Sequence, residues 1–181
     1  MLKIVIPAAE GWDDTKEEFV ETKKEVVLTL EHSLVSLSKW ESKWHKPFLS
    51  KEEKTSEEIL DYIKCMTLTQ NVDDEVYNRL TGDNIRTIQE YISDSHTATV
   101  IYDNPNAPKS REIVTSELVY YWMVALQIPF ECQKWHLNRL LTLIRICNIK
   151  NTPPKKMSQS QILSRNAALN KARRQRLHST G

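Results

Sequence analysis

The sequence predicts an α+β protein that is mostly α: a helical body around a central two-helix hairpin, a small N-terminal β-hairpin, and a basic C-terminal helical tail. Three observations carry that prediction. Only 3 of the 181 residues are glycine and 27% are charged, which suits helices with solvated faces better than a turn-rich sandwich. Apolar residues alternate with a period of two near the N-terminus, and from Ser33 onward they recur every three or four residues. The densest apolar run, SELVYYWMVALQIPFECQKWHLNRLLTLIRICNI from Ser116 to Ile149, reads as two helices separated near Pro129, which lacks a backbone donor and biases Ile128 away from helical geometry.

Taken in order, Leu2, Ile4 and Ile6 alternate with Lys3 and Val5, the pattern of a short strand over residues 2–7. Gly11, Asp13 and Asp14 supply a turn, and Phe19 to Leu30 returns as a second extended run with Val26, Leu28 and Leu30 on one side. A lone hairpin is marginal in water, so this one must pack on the helices. Leu34, Leu37, Trp40, Glu41 and Trp44 are spaced for a helix that ends before Pro47. Thr55 and Glu58 form a capping box ahead of Ile59, Tyr62, Ile63 and Met66, which predicts a helix over 56–66. Asp73 and Asp74 cap a brief helix carrying Val76, Tyr77 and Leu80 that Gly82 ends. Asp83 caps the next, striped by Ile85, Ile88, Tyr91 and Ile92. Thr97 to Tyr102 is β-branched and predicts one more short strand beside the hairpin. Asp103 to Arg111, DNPNAPKSR, is the clearest loop.

In the first half of the central stretch, Leu118, Tyr121, Trp122 and Ala125 share a face while Val119, Met123, Val124 and Leu126 fill the others, so this helix is expected to be covered nearly all round. In the second half, Leu137, Leu140, Leu141, Ile144 and Cys147 form one stripe with Leu143 beside it and Arg139 opposite. Asn148 to Lys156 contains Pro153-Pro154 and three lysines and reads as a linker. The expected division is a mainly helical body with the N-terminal hairpin over 1–150, and a linker with a basic C-terminal helix over 151–181. Ser158 to Gln161 offers a second capping box, after which Ile162, Leu169 and Ala172 give the tail only a thin apolar stripe.

The formal net charge of +1 conceals a polarity. Glu131 is the last acidic residue, so residues 1–131 hold all 24 carboxylates against 14 Lys and Arg, a balance of −10, and residues 132–181 carry the other 11 cations. Arg165, Lys171, Arg173, Arg174 and Arg176 of the tail have three readings: a solvated terminus, docking on an acidic surface, or neutralising phosphates. The missing interleaved aromatics set nucleic acid below the other two.

Catalytic patterns are not found. Cys65, Cys132 and Cys147 are too few and too far apart for a disulfide scaffold and read as reduced, buried thiols in a cytosolic chain. Cys132 and His136 lie four apart, as on one helix, but no second ligand pair accompanies them, which argues against a metal and for a packed or interfacial His136. No glycine-rich phosphate loop or other cofactor motif occurs, and the adjacent carboxylates Glu57-Glu58 and Asp73-Asp74 are explained by helix dipoles. The apolar run from Leu118 to Leu126 is too short for a bilayer, and the N-terminus lacks a secretory core. Trp40 and Trp44 share a face. They serve either as anchors into the core or, if exposed, as an aromatic patch for a partner.

The segments LEHSLVSLSKWESKW, CMTLTQNV, REIVTSELVYYWMVAL, FECQKWHLNRLLTLIRICNIKN, PPKKM and RNAALNKARRQR together resemble a family of small proteins from the tail-morphogenesis region of long-tailed bacteriophages, best matched by the tail assembly chaperones. The resemblance implies a non-enzymatic protein in the cytoplasm of the infected bacterial host. It implies binding to the tape measure protein, help to the major tail protein as it polymerises, and departure before the virion is complete. Chaperones of this kind are often also made in a longer, frameshifted form, and this chain resembles the short product. The family offers no catalytic motif. Partner contacts are therefore expected at Trp40, Trp44 and Trp135 and at the tail cations Arg165, Lys171, Arg173, Arg174 and Arg176. A homo-oligomer is compatible with the reading; no cofactor and no membrane enter it. The alternatives are a structural virion protein of the tail or connector, and a nucleic-acid-binding accessory protein.

Overall fold

Residues 1–13, 18–102, 112–153 and 158–178 are described in a computed structural model of the chain. The Asp103–Arg111 loop, Asp14 of the expected turn, and the end of the expected linker from Pro154 lie outside the described residues. The chain is α+β and mostly helical, as the sequence predicts.

Strand β1 (Leu2–Ile6) runs antiparallel to β4 (Val26–Leu30), with Leu2 opposite Leu30 and Ile6 opposite Val26. Between them, β2 (Ala9–Asp13) pairs with β3 (Glu18–Lys23), so the hairpin is longer than expected and interrupted once. Gly11 and Asp13 are consequently paired strand residues, opposite Val20 and Glu18, rather than turn residues. Ile4, Ile6, Leu28 and Leu30 are buried while Lys3, Val5 and Val27 are exposed, which is what the period of two requires of a one-sided ribbon. At the interruption the Arg79 guanidinium donates to the carbonyls of Pro7 at 2.8 Å and Lys24 at 3.2 Å, satisfying groups that strand pairing leaves open.

Helix α1 (Leu34–Trp44) starts at an N-cap on Ser33, and α2 (Ser56–Met66) starts at the Thr55–Glu58 capping box. Asp73 caps α3 (Asp74–Tyr77), a single turn. The next start differs from expectation: Thr81, not Asp83, caps α4 (Gly82–Ser93), and Gly82 is its first residue rather than a terminator. The cause is a reciprocal Thr81–Asn84 box, in which Thr81 Oγ1 accepts from the Asn84 amide and Asn84 Oδ1 accepts from Thr81. Thr97–Tyr102 forms no strand, and Val100 and Tyr102 stand in solvent. The ribbon edge is met instead by Thr67 and Leu68, whose backbone bridges to Leu30 and Thr29.

Helix α5 (Ser116–Ala125) stops three residues earlier than the proline suggests. Gln127 takes a left-handed conformation with φ 54°, its N–H donates to the Val124 carbonyl, and the Ile128 N–H donates back to Met123. That is a Schellman closure built without glycine, which is why the sequence hid it. A 3₁₀ turn at Phe130–Lys134 leads to α6 (Leu137–Asn151), which continues through Asn148–Asn151 where a linker was expected.

Two apolar clusters form the core. One joins the ribbon to α2 and α4 through Ile4, Leu28, Leu30, Tyr62, Ile63, Met66 and Ile88. The other joins α5 and α6 through Val119, Met123, Leu137, Leu140 and Ile144. Helix α1 serves both, placing Trp40 in the first and Leu34 and Leu37 in the second. By compactness the chain divides into Met1–Asn148 and Ile149–Gly181. The second unit contains α7 (Gln159–Leu177), started by a Ser158–Gln161 capping box and closed on His178. None of its residues is buried, so the thin stripe at Ile162 and Leu169 covers nothing within that unit.

Candidate functional site

The composition of α5 is more apolar than its burial explains. Only Ser116, Val119 and Met123 are buried, and Tyr121 and Val124 are 64% and 61% exposed, so the helix is not covered all round as its sequence suggested. The expected stripe through Leu118, Tyr121, Trp122 and Ala125 is displaced: the core face runs through Val119 and Met123. Trp122 is half-buried and forms one side of an open groove of about 850 Å³ in the body.

Three parts of the chain build this groove. Leu49, Ser50, Lys51 and Glu52 come from the loop after α1, and Glu112, Ile113 and Val114 from the segment before α5. Helix α6 supplies Leu141 and Ile144 at the floor with Arg145 and Asn148 beyond them. The lining is apolar and the charges sit among the loop, segment and helix-end residues, of both signs.

A buried carboxylate holds two of the walls. Glu41 Oε1 accepts the Phe48 amide at 2.9 Å, fixing the loop, and Glu41 Oε2 accepts the Ser116 amide at 2.7 Å, capping α5 from outside its own chain segment. An anion at a helix N-terminus is favoured by the dipole and by the orphan amides there. Phe48 completes the joint by stacking on Tyr62 at 3.8 Å between centroids and meeting Trp40 edge-on at 5.0 Å. The third wall follows from α6, whose expected stripe is buried at Leu137, Leu140 and Ile144 and half-buried at Leu141 and Cys147.

The residues expected to meet a partner are distributed differently. Trp40 is 1% exposed and donates Nε1–H to the Glu58 carbonyl at 2.8 Å, so it is a core anchor and leaves the list of contact residues. Trp44 is half-buried, stacks on Trp40 at 6.1 Å and donates to Asp61 Oδ2 at 2.9 Å. Trp135 is half-buried under the Arg139 guanidinium, 4.2 Å from the ring centre. Arg165, Lys171, Arg173, Arg174 and Arg176 are exposed on α7 in the second unit.

Cys132 lies in the 3₁₀ turn and His136 precedes α6, so the two do not share a helix. Among the described residues no group of three or more His, Cys, Asp or Glu side chains gathers as metal ligands. The three thiols are free; burial pushes those of Cys65 and Cys132 up, away from the thiolate that nucleophilic chemistry needs. Among the described residues no helix is long and apolar enough to cross a membrane.

Sequence reasoning missed Leu49, Ile113 and Trp122 as groove residues. The available signal was the apolar surplus of α5, which was read as depth in the core. No known protein family, curated protein or solved structure matches this chain.

Proposed function

We propose that the protein is a non-enzymatic tail assembly chaperone, whose groove holds an apolar helical segment of the tape measure protein while the major tail protein polymerises around it. The observation that carries this reading is the open apolar groove between the loop after α1, the segment before α5 with Trp122, and one side of α6. A surface of this kind suits a partner helix that offers apolar side chains at i, i+3, i+4 and i+7 to a groove with charges of both signs. The cations of α7 add attraction to acidic stretches of the assembly, and they lie in a unit of their own. The work would be done in the cytoplasm of the infected host.

Co-purification with the tape measure and major tail proteins, paired with mass spectrometry of mature virions, tests it. The expected result is complex formation with absence from virions, and loss of the complex in Leu141→Asp with the fold retained by circular dichroism. A fixed copy number in virions would overturn it. That outcome would favour a structural tail or connector subunit, the reading that the separate exposed face at Tyr121 and Val124 supports.

A further inference from the structure

Away from the groove, three of the five histidines meet at one point. His32 lies between β4 and α1, His96 follows α4, and His136 precedes α6. The His136 ring is 5.1 Å from that of His32 and 4.0 Å from that of His96, and Tyr91 packs edge-on against His96 and His136 at 4.8 Å and 5.0 Å.

The same point stitches the two apolar clusters together. The Leu137 N–H donates to the His32 carbonyl at 2.7 Å, and Ser33 and His136 form a backbone bridge. The Asn138 side chain donates to the carbonyls of Ile92 at 2.9 Å and Asp94 at 2.7 Å. The start of α6 is thereby tied to the ends of β4 and α4 through one patch.

Hydrogen bonding sets the protonation of that patch. The Asn138 amide donates to His136 Nδ1 at 3.3 Å, so this nitrogen carries no proton, and Nε2–H is left to donate to the Tyr91 carbonyl at 3.0 Å. A second proton on Nδ1 would set two donors against each other. His32 is 1% exposed with Nδ1 hydrogen-bonded to the Tyr62 hydroxyl at 2.6 Å, and burial, then the neighbouring imidazoles, push it down to about 3. Burial likewise lowers His136, against the opposing pull of the Tyr91 carbonyl.

The facing charges are few. Asp94 Oδ2 lies 3.1 Å from His96 Nδ1, and the His96 ring lies beside that of His136. Glu31 accepts from the Tyr91 hydroxyl at 2.9 Å and is already paired with the Met1 amine at 3.0 Å. Both carboxylates also favour a proton on His136, but burial outweighs them.

We propose that this histidine patch is an acid-sensitive hinge, at which mild acid parts the start of α6 from β4 and α4 while the rest of the two clusters stays packed. The open patch takes up the proton that the closed one excludes from His136, while His32 stays buried against Tyr62, so the opening constant rises about tenfold per pH unit below the free value. Because α6 also carries Leu141 and Ile144 of the groove, opening changes the groove, but the hinge itself does not depend on what the groove holds.

Hydrogen exchange on the full, untagged chain at pH 7.5 and 5.5, corrected for the intrinsic pH dependence of exchange, tests this. The Leu137 and Leu140 amides should open about tenfold more at the lower pH, with an opening constant well above that of the Ile63 amide of α2, which exchanges by global unfolding and follows His32. In a His96→Gln, His136→Gln double variant, which keeps hydrogen-bonding groups but does not titrate at those two positions, the local acid response of α6 should vanish while that of α2, set by His32, remains. Equal opening constants in α2 and α6, or an undiminished α6 response in the double variant, would overturn the hinge. Should that variant not fold, imidazole nitrogen shifts of the wild-type chain decide. His136 should take its second proton only as α6 protection falls, and a His136 that titrates near pH 6.5 with α6 still protected would refute the proposal.

Discussion

Helices α2 and α5 are similar in length, 11 and 10 residues, and both pack on α1, yet they use their apolar residues in opposite ways. The α2 sequence is amphipathic, and its buried residues Tyr62, Ile63 and Met66 account for its main apolar face. In α5 eight of ten residues are apolar or aromatic, and only Val119 and Met123 of those are buried. A helix with just enough apolar surface declares where the core lies. One with a surplus declares a second surface, and here the surplus goes partly to the groove and partly to solvent.

The comparison can be broken first at the face of α1 that α2 covers. Trp40→Ala removes a buried indole and its hydrogen bond to the Glu58 carbonyl; it should cost about 3–5 kcal/mol in denaturant unfolding. An equal cost for Tyr121→Ser would erase the distinction between the helices.

Acid gives the next effect, through His32 against Tyr62 of α2. The folded value of about 3 lies below the free value of 6.5, so the stability is present above pH 6.5 and is lost as pH falls through the window between them. Unfolding free energy should drop by about 2–3 kcal/mol from pH 6.5 to 4.5, and His32→Asn should flatten that slope. A pH-independent midpoint over the range would contradict it.

Smaller effects sharpen the contrast. Thr55→Ala deletes the α2 cap and should cost about 1 kcal/mol by thermal unfolding. At the far end of α5, Gln127→Gly relieves a left-handed side-chain residue and should add about 1 kcal/mol. On its exposed face, Tyr121→Ser and Val124→Ser should each change stability by less than about 0.5 kcal/mol. Large losses there would mean that this face is covered after all.

Local signals were legible and shared ones were not. The Thr55–Glu58 and Ser158–Gln161 boxes, the Asp73 cap and the Leu137–Leu140–Ile144 stripe could be read directly, because each is written within a few consecutive residues. The Thr81–Asn84 box was missed because an asparagine replaces the usual Glu or Gln, and the end of α5 because glutamine stands where glycine is usual. Thr97–Tyr102 has strand propensity but no partner edge, since Thr67 and Leu68 take the one beside β4. The groove as a whole was beyond local reading, although the apolar surplus of α5 marked one side of it. It depends on Glu41 reaching Phe48 and Ser116, and that junction spans 75 residues between carboxylate and amide.

Helix α7 also bears on how the protein migrates in an electric field and how it survives proteases. Its cations are exposed, no carboxylate follows Glu131, and trypsin cuts at such side chains. A cut after Arg165 removes residues 166–181 with four positive charges and turns a formal +1 into −3. One proteolytic event thus converts a nearly neutral protein into an anion that cation-exchange resin no longer retains, and its charge state records whether the tail is still attached.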